Sequence, residues 1–416
     1  MQRVRLALPW FAENGWEPVV LAVHPDFVEG GVRDPLLEKT YPAGIRVILA
    51  RGIPQRLTRP FRIGSLWLRC GRALRAAGER LLREEKFDLV FFSTTQFGSF
   101  TLGPRWKRTF GVPYVLDYQD PWVNDHYART GQRPPGGRLK FALSQWSGRR
   151  HEPRVLREAS GVISVSDAYG PQLAARYPWF DASLVSVLPF GASEADIELA
   201  RAHPPVRPLV PVGDGFFHHV YTGRGGADMS VALTLLFRAF KHFRETRPEA
   251  AARIRFHFIG TSYAPPPLGR ESVMPIAHAE KVADHVHEHC GRVPYFEALH
   301  YLATADAIIA LGSNDPGYSA SKLFPCILAR RPLLVLFHRD SPVHAFLQRM
   351  ESSAACIAFT AAPTDNAVID RIEDDWFSHG GLRRTPVLND GAFTPFTARA
   401  MTAALAAVFN QAASVR

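Results

Sequence analysis

The chain has 416 residues, 46% of them hydrophobic and 21% charged, which indicates a globular protein with a full core and length for two or three ordinary domains. Its formal net charge of +10 suits an anionic partner: nucleic acid, a membrane surface or a phosphorylated ligand. Cys70, Cys290, Cys326 and Cys356 form no CxxC pair, and no apolar run reaches the roughly 20 residues of a membrane span, so neither a disulfide framework nor a spanning helix is expected.

Residues 2–14 read as an amphipathic helix ending at Gly15, followed by a strand over 19–23. A doubly wound domain places a strand and a Gly-rich turn before such a helix. Here nothing precedes it, so a missing first strand is expected, from a truncated start or a misplaced initiation codon. A strand follows over 45–50. Residues 51–86 are basic and mostly helical, with Arg69, Arg72, Arg75, Arg80 and Arg83 set among Leu66, Leu68, Leu74, Leu81 and Leu82. Such arginines either solvate a helix face or attract anionic lipid headgroups.

Strands are predicted over 87–92, 114–117, 161–166 and 184–188. Asp120 and Trp122 follow the second of these, where ligand loops sit in open α/β sheets. Asp120 there either faces a ligand or serves as a helix cap or a salt bridge to a nearby arginine, and Trp122 reads as core or as a stacking platform for a ligand. A polar loop over 128–137 leads into a long helix over 139–158. The proline-rich stretch 201–218 reads as a linker. The βα rhythm then restarts: a strand over 219–222, the turn Gly223-Arg224-Gly225-Gly226, a helix over 230–244, and a strand over 254–259 ending at Gly260. Val286 and Val293 are placed in short strands around Gly291. His285, His287, His289 and Cys290 lack zinc spacing, and alternation along a strand explains them.

Residues 305–337 read as strand, loop, helix, strand. Ile308, Ile309 and Leu311 form the first strand, and the chain then breaks at Gly312-Ser313-Asn314-Asp315-Pro316-Gly317. Ser319 and Ser321 are potential caps for a helix over 320–329, and Lys322 adds charge in its first turn. Either this is an ordinary βα turn with a surface lysine, or it cradles a phosphorylated ligand. Residues 379–395 show no period, and a helix closes the chain over 397–413.

Several of these segments, in order, resemble retaining glycosyltransferases of the GT-B fold, in the large family four of bacterial sugar transferases. They are QRVRLALPWFAENGWEPVVL, VPYVLDYQDPW, ASGVISVSDAYGPQL, LPFGASEADIE, VYTGRGG, FHFIGTSY, GRVPYFEALHYLATADAIIALGS and SASKLFPCILARRPLLVLF. The resemblance covers nearly the whole chain. It implies an α/β protein of two Rossmann-like doubly wound domains facing across a cleft: an acceptor-side domain over 1–200, a linker over 201–218, a nucleotide-sugar domain over 219–395 and a terminal helix over 396–416.

The resemblance also implies a nucleotide-sugar donor on the second domain, a glycan or lipid-linked acceptor on the first, and no cofactor or metal. Arg224 matches the arginine that meets the donor diphosphate, with Gly223, Gly225 and Gly260 around it. Val293 matches the turn that meets the base, and Ser319, Ser321 and Lys322 the helix start beside the diphosphate. Three departures stand out. Met229 occupies the position of a frequent lysine, Pro325 replaces a ribose-binding glutamate, and the first strand with its glycine loop is missing. The expected function is metal-independent sugar transfer with retention in cell-surface polysaccharide synthesis, by a cytoplasmic protein peripheral to the membrane through residues 51–86. The alternative is an impaired nucleotide-sugar binder or assembly protein of the same fold. Residues 51–86 have few interleaved aromatics, so nucleic acid is not an expected partner.

Overall fold

The computed structural model describes residues 2–28, 34–61, 63–124, 137–262, 269–315, 318, 323–360, 362, 364–378, 381–387 and 389–414. The chain divides into two compact units. Unit 1 comprises Met1–Gly31, Tyr41–Gly191 and Ala398–Arg416, and unit 2 comprises Val32–Thr40 and Ala192–Thr397.

Unit 1 holds a two-stranded parallel sheet, β1 (Val19–Val23) with β2 (Arg46–Ala50). It also holds a four-stranded parallel sheet in the order β3 (Val90–Ser93), β4 (Tyr114–Tyr118), β5 (Gly161–Ser164) and β6 (Val185–Val187). Among the described residues no strand pairs β1 with β3. Strands β4 and β5 are buried along their whole length, as central strands covered on both faces must be. The period of two sorts their side chains. Tyr114, Leu116 and Tyr118 join a cluster with Phe92, Phe100, Trp106 and Trp122 on one face. Val115 and Ile163 meet Leu6, Leu8 and Phe11 on the other, together with Met401, Leu405 and Phe409 of helix Ala398–Ser414. The Phe409 ring lies 4.9 Å from Phe91 and 5.4 Å from Trp16. The terminal helix is therefore part of unit 1 rather than a separate 396–416 element.

Helix Leu66–Glu84 is capped by the Ser65 hydroxyl and buries Cys70, Gly71, Gly78 and Leu81. Gly78 is required for close packing: a Cβ there would sit 2.4 Å from the Trp106 ring. Arg69 is buried, donating to the Phe27 carbonyl at 3.0 Å and the Ile53 carbonyl at 3.2 Å. It is thus a tie between loops and not one of the surface arginines expected over 51–86. Glu79 pairs with Arg75, Arg83 and Arg105, so part of the basic excess of this helix is neutralised locally.

Unit 2 holds a six-stranded parallel sheet in the order β12-β11-β10-β7-β8-β9. Its strands are β7 (Phe217–Thr222), β8 (Ile254–Ile259), β9 (Val286–His289), β10 (Ala307–Leu311), β11 (Leu333–His338) and β12 (Ala355–Phe359). The chain runs outward from β7 to β9 and then returns to place β10 beside β7, so the order reverses between β7 and β10. One face packs Ile309, Leu311, Leu334 and Leu336 against helix Ser230–Thr246 through Leu233, Phe237 and Phe240. The other packs Ile308, Val335 and Phe337 with helices Tyr295–Thr304 and Leu323–Leu328.

Helix Glu194–Ala202 also lies on this second face, with Ile197 and Ala200 buried. Unit 2 therefore starts at Ala192, not beyond residue 200. Residues 201–218 are no free spacer either. Val210 is buried, the Leu209 N–H donates to the Tyr301 hydroxyl at 3.1 Å, and Phe217 and His218 open β7. Residues 34–40 belong to the same unit: Asp34 accepts from the Phe296 N–H at 2.8 Å, and Leu36 and Leu37 pack on the second face.

Candidate functional site

The reversal between β7 and β10 puts two turns side by side at the carboxyl ends of unit 2's strands, which is where open α/β sheets bind ligands. The first, after β7, is Gly223-Arg224-Gly225-Gly226. Its backbone is pinned to the neighbouring strand's exit, with the Gly223 N–H donating to the Ile259 carbonyl at 2.9 Å and the Gly225 N–H to the Thr261 carbonyl at 2.7 Å. A Cβ on Gly225 would lie 2.0 Å from the Ser272 hydroxyl, so this close approach suits glycine. Gly260, at φ +78°, turns the chain after β8 and donates to the His289 carbonyl at 2.8 Å.

The second turn, after β10, begins at Gly312. A Cβ there would meet the Phe337 Cα at 2.8 Å, a backbone atom that cannot swing away. Ser313 and Asn314 follow, and both are tied to Asp228. The Ser313 hydroxyl donates to Asp228 Oδ2 at 2.8 Å, and the Asn314 N–H donates to the Asp228 carbonyl at 2.6 Å.

Arg224 sits between the two turns. Its guanidinium donates to Asp228 through Nη1 at 2.8 Å and Nη2 at 2.5 Å, and lies over the Tyr318 ring at 5.6 Å. The Tyr221 hydroxyl fixes the Arg224 carbonyl at 2.8 Å. The arginine side chain is 26% exposed, so it stays reachable from solvent. Burial pushes the Asp228 carboxyl up, but the bonds from Arg224 and Ser313 and the Arg224 charge outweigh it and hold the group below its ordinary value. A planar, always-charged fork is suited to a phosphate oxygen pair.

Of the sequence-derived residues, Gly223, Arg224, Gly225 and Gly260 are thus brought together. Val293 is half-buried against the second-face cluster, beyond β9. Ser319, Ser321 and Lys322 lie outside the described residues, and the helix expected over 320–329 is described as Leu323–Leu328. Met229 is buried, and its sulfur lies 3.6 Å from the Tyr221 hydroxyl. The sequence reading missed Asp228, Ser313 and Tyr318. The four-residue spacing of Arg224 and Asp228 across a glycine turn was the one available signal.

Unit 1 carries its own polar group at the carboxyl end of β4. Asp117 is fully buried, and its Oδ2 accepts from Arg3 Nε at 3.0 Å, Ser93 Oγ at 2.7 Å and Gln119 Nε2 at 2.7 Å. Arg3 also donates to the Leu188 carbonyl at 2.7 Å, so this pair ties the first helix to the ends of β4 and β6. Asp120, beyond β4, keeps an exposed face while the protein around it lifts its carboxyl above the ordinary value. Burial, and then the Asp120 charge, push the Tyr169 hydroxyl up to about 12. Glu152 is buried among Tyr118, Tyr177 and Arg176, and burial raises its pKa against those bonds. Trp122 is core, stacked on Phe97 at 5.7 Å.

His219, His257 and His285 of unit 2 are buried, whereas His287 and His289 on β9 are exposed. His285 meets the Ile254 carbonyl at 2.9 Å, His287 stacks on His257 at 4.9 Å, and Trp376 donates to His219 at 3.2 Å. Among the described residues no group of three His, Cys, Asp or Glu side chains is placed to hold a metal.

A cavity of about 830 Å³ lies at the other end of the unit 2 sheet, lined by Val210, Phe216, His218, Arg253, Tyr301 and Asp306. The glycine turns, the reversal of strand order and the solvent-reachable arginine all sit at the carboxyl ends, so that end is the candidate site.

Residues 2–191 match the family model described as a glycosyl transferase 4-like domain. No curated protein matches the chain. Solved structures similar to it include a glycosyltransferase from Rickettsia africae, at 11% identity and TM-score 0.59, over 100% of this chain and 95% of that one. Sucrose-phosphate synthase from Thermosynechococcus elongatus is similar at 14% identity and TM-score 0.57, over 98% and 91%. HepE from Anabaena, in complex with UDP and glucose, is similar at 15% identity and TM-score 0.56, over 98% and 95%.

Proposed function

We propose that this chain, whose residues 2–191 match a glycosyl transferase 4-like domain, is a glycosyltransferase of the GT-B fold that moves a sugar from a nucleoside-diphosphate sugar to a glycan or lipid-linked acceptor, with retention, in cell-surface polysaccharide synthesis. The observation that carries this reading is Arg224, held by glycine turns at the carboxyl end of β7, against the turn that leaves β10.

Transfer breaks the bond between the sugar's anomeric carbon and the diphosphate oxygen. Electrons stay with the diphosphate while the carbon becomes cationic, so the protein must stabilise the leaving group's growing charge. In this proposal Arg224 and Lys322 do so, and no metal is needed. Arrival of the diphosphate requires Arg224 to share or exchange its Asp228 partner. Gly260, Val293, Ser319 and Ser321 border the nucleotide. Asp120, on unit 1, is the acceptor-side group, its raised pKa suiting proton acceptance from a hydroxyl. UDP is the first donor nucleotide to test, because similar HepE structures are complexes with UDP and with UDP-glucose.

The proposed location is the cytoplasm, peripheral to the inner membrane face. Among the described residues no helix is long and apolar enough to cross a membrane. Over 51–68, Ile53, Leu57, Phe61 and Leu68 are exposed among exposed Arg51, Arg56 and Arg59, which supports a lipid surface there. The test is calorimetric binding of UDP and GDP to the full-length protein; no binding of either would defeat the reading.

A second reading, an impaired nucleotide-sugar binder, is favoured by the buried Met229 and by Pro325 inside helix Leu323–Leu328. Multiple turnover with any sugar nucleotide would eliminate it.

A further inference from the structure

The first half of helix Arg138–Glu158 in unit 1 presents large apolar side chains to solvent. Leu139 is 77% exposed, Leu143 60% and Trp146 65%. Large aliphatic and indole groups so exposed, on one helix, need a reason. At roughly 100° per residue the three fall within about 60° of arc, a single apolar stripe. Around it stand Arg138, Lys140, Arg149 and Arg150, all exposed, and no acidic residue occurs from 138 to 150. The next acid, Glu152, is turned inward and buried. From Gly148 onward the helix packs, with Val155 and Leu156 in the core, so the second half anchors the first.

We infer that residues Arg138–Arg150 form an anionic-lipid docking face, lying along the interface with Leu139, Leu143 and Trp146 in the acyl boundary and the basic residues among headgroups. Three features select lipid over a protein partner. The stripe is narrow, with Arg138 and Arg149 along one side, Lys140 along the other and Arg150 one turn beyond Trp146, and every charge of the stretch is positive, as on surface-lying helices. An indole is the side chain best suited to the headgroup level. The charge has no acidic counterpart within the stretch that would set a register with a second copy. This deepens the lipid-surface part of the function proposed above, adds a second face to residues 51–68, and does not depend on the nucleotide site.

The test is flotation of the full-length protein with vesicles of phosphatidylcholine alone, or with roughly a third phosphatidylglycerol. Wild type is expected to float with the anionic vesicles, less as salt rises, and poorly with neutral ones. The surface variant Leu139→Ser/Leu143→Ser/Trp146→Ser is expected to lower anionic-vesicle partitioning at least about tenfold. Lys140→Glu/Arg149→Glu is expected to abolish the preference for anionic over neutral vesicles. UDP calorimetry on the same preparations separates the two proposals, since loss of vesicle binding with UDP binding intact bears on lipid docking alone. The inference is overturned if wild type does not float with anionic vesicles at low salt, or if the triple variant floats as well as wild type. A wild-type dimer that the triple variant converts to monomer, without vesicle binding, also overturns it and makes the stripe a self-association face.

Discussion

Replacing Arg224 by alanine removes the guanidinium from the paired turns and leaves Asp228 with its Ser313 bond, its own backbone N–H and solvent. The arginine side chain is 26% exposed and Asp228's is 38%, so the pair contributes little to folding, about 0.2–1 kcal/mol. Binding is different. A guanidinium meeting phosphate makes charge-assisted hydrogen bonds worth roughly 1.5–3 kcal/mol, a tenfold to about 150-fold rise in Kd. The prediction is therefore a selective loss: UDP affinity falls by at least tenfold while Tm moves by a degree or two. Lysine at 224 is expected to recover only part, because one ammonium cannot make the planar double contact. Calorimetric titration and a thermal melt on each variant check this. UDP binding within twofold of wild type in Arg224→Ala would refute the reasoning, and so would a large Tm drop accounting for the loss.

Four further outcomes follow from the geometry. Gly312→Ala forces a Cβ against the Phe337 Cα at 2.8 Å, so chemical denaturation should show about 1–3 kcal/mol of destabilisation together with weaker UDP binding. Arg3→Ala leaves Asp117 charged and buried without its partner, costing roughly 3–5 kcal/mol in urea melts, whereas Arg3→Ala with Asp117→Leu should recover part of that. Burial first, then neighbouring positive histidines, pushes His219 and His257 down to about 3, so the unfolded chain takes up protons that the folded one refuses between about pH 6.5 and 3. Stability is thus full above pH 6.5 and falls below it, by up to about 1.4 kcal/mol per pH unit for each histidine, and His257→Phe should flatten a Tm–pH curve in that window. Asp120→Asn should lower kcat with UDP affinity unchanged, if an acceptor hydroxyl gives up its proton there.

The buried strands were legible because their burial is written locally. Tyr114 to Leu116 and Ala307 to Leu311 are apolar runs, and the strands that hold them are buried end to end. Gly312, Gly223 and Gly260 marked the strand exits for the same reason. What escaped was anything settled by partners far along the chain. Helix Glu194–Ala202 has an ordinary amphipathic pattern, and only its contacts with the face carrying Tyr295–Thr304 assign it to unit 2. Asp34 looks like a loop acid, yet it caps a backbone N–H 262 residues away. Arg69 falls in a row of surface arginines but turns inward to two loop carbonyls. At the candidate site, the arginine was visible from its glycines, whereas its hold by Asp228 and Ser313 depends on β7 and β10 being neighbours. That adjacency is a property of strand order, which no local pattern encodes.

Determining the structure of the full-length protein with UDP bound tests the central claim most directly. The account predicts the β-phosphate within hydrogen-bonding distance of the Arg224 guanidinium, against the Gly223–Gly226 turn. A nucleotide seated anywhere else, such as the cavity bordered by Phe216 and Arg253 at the opposite end of the strands, would contradict it.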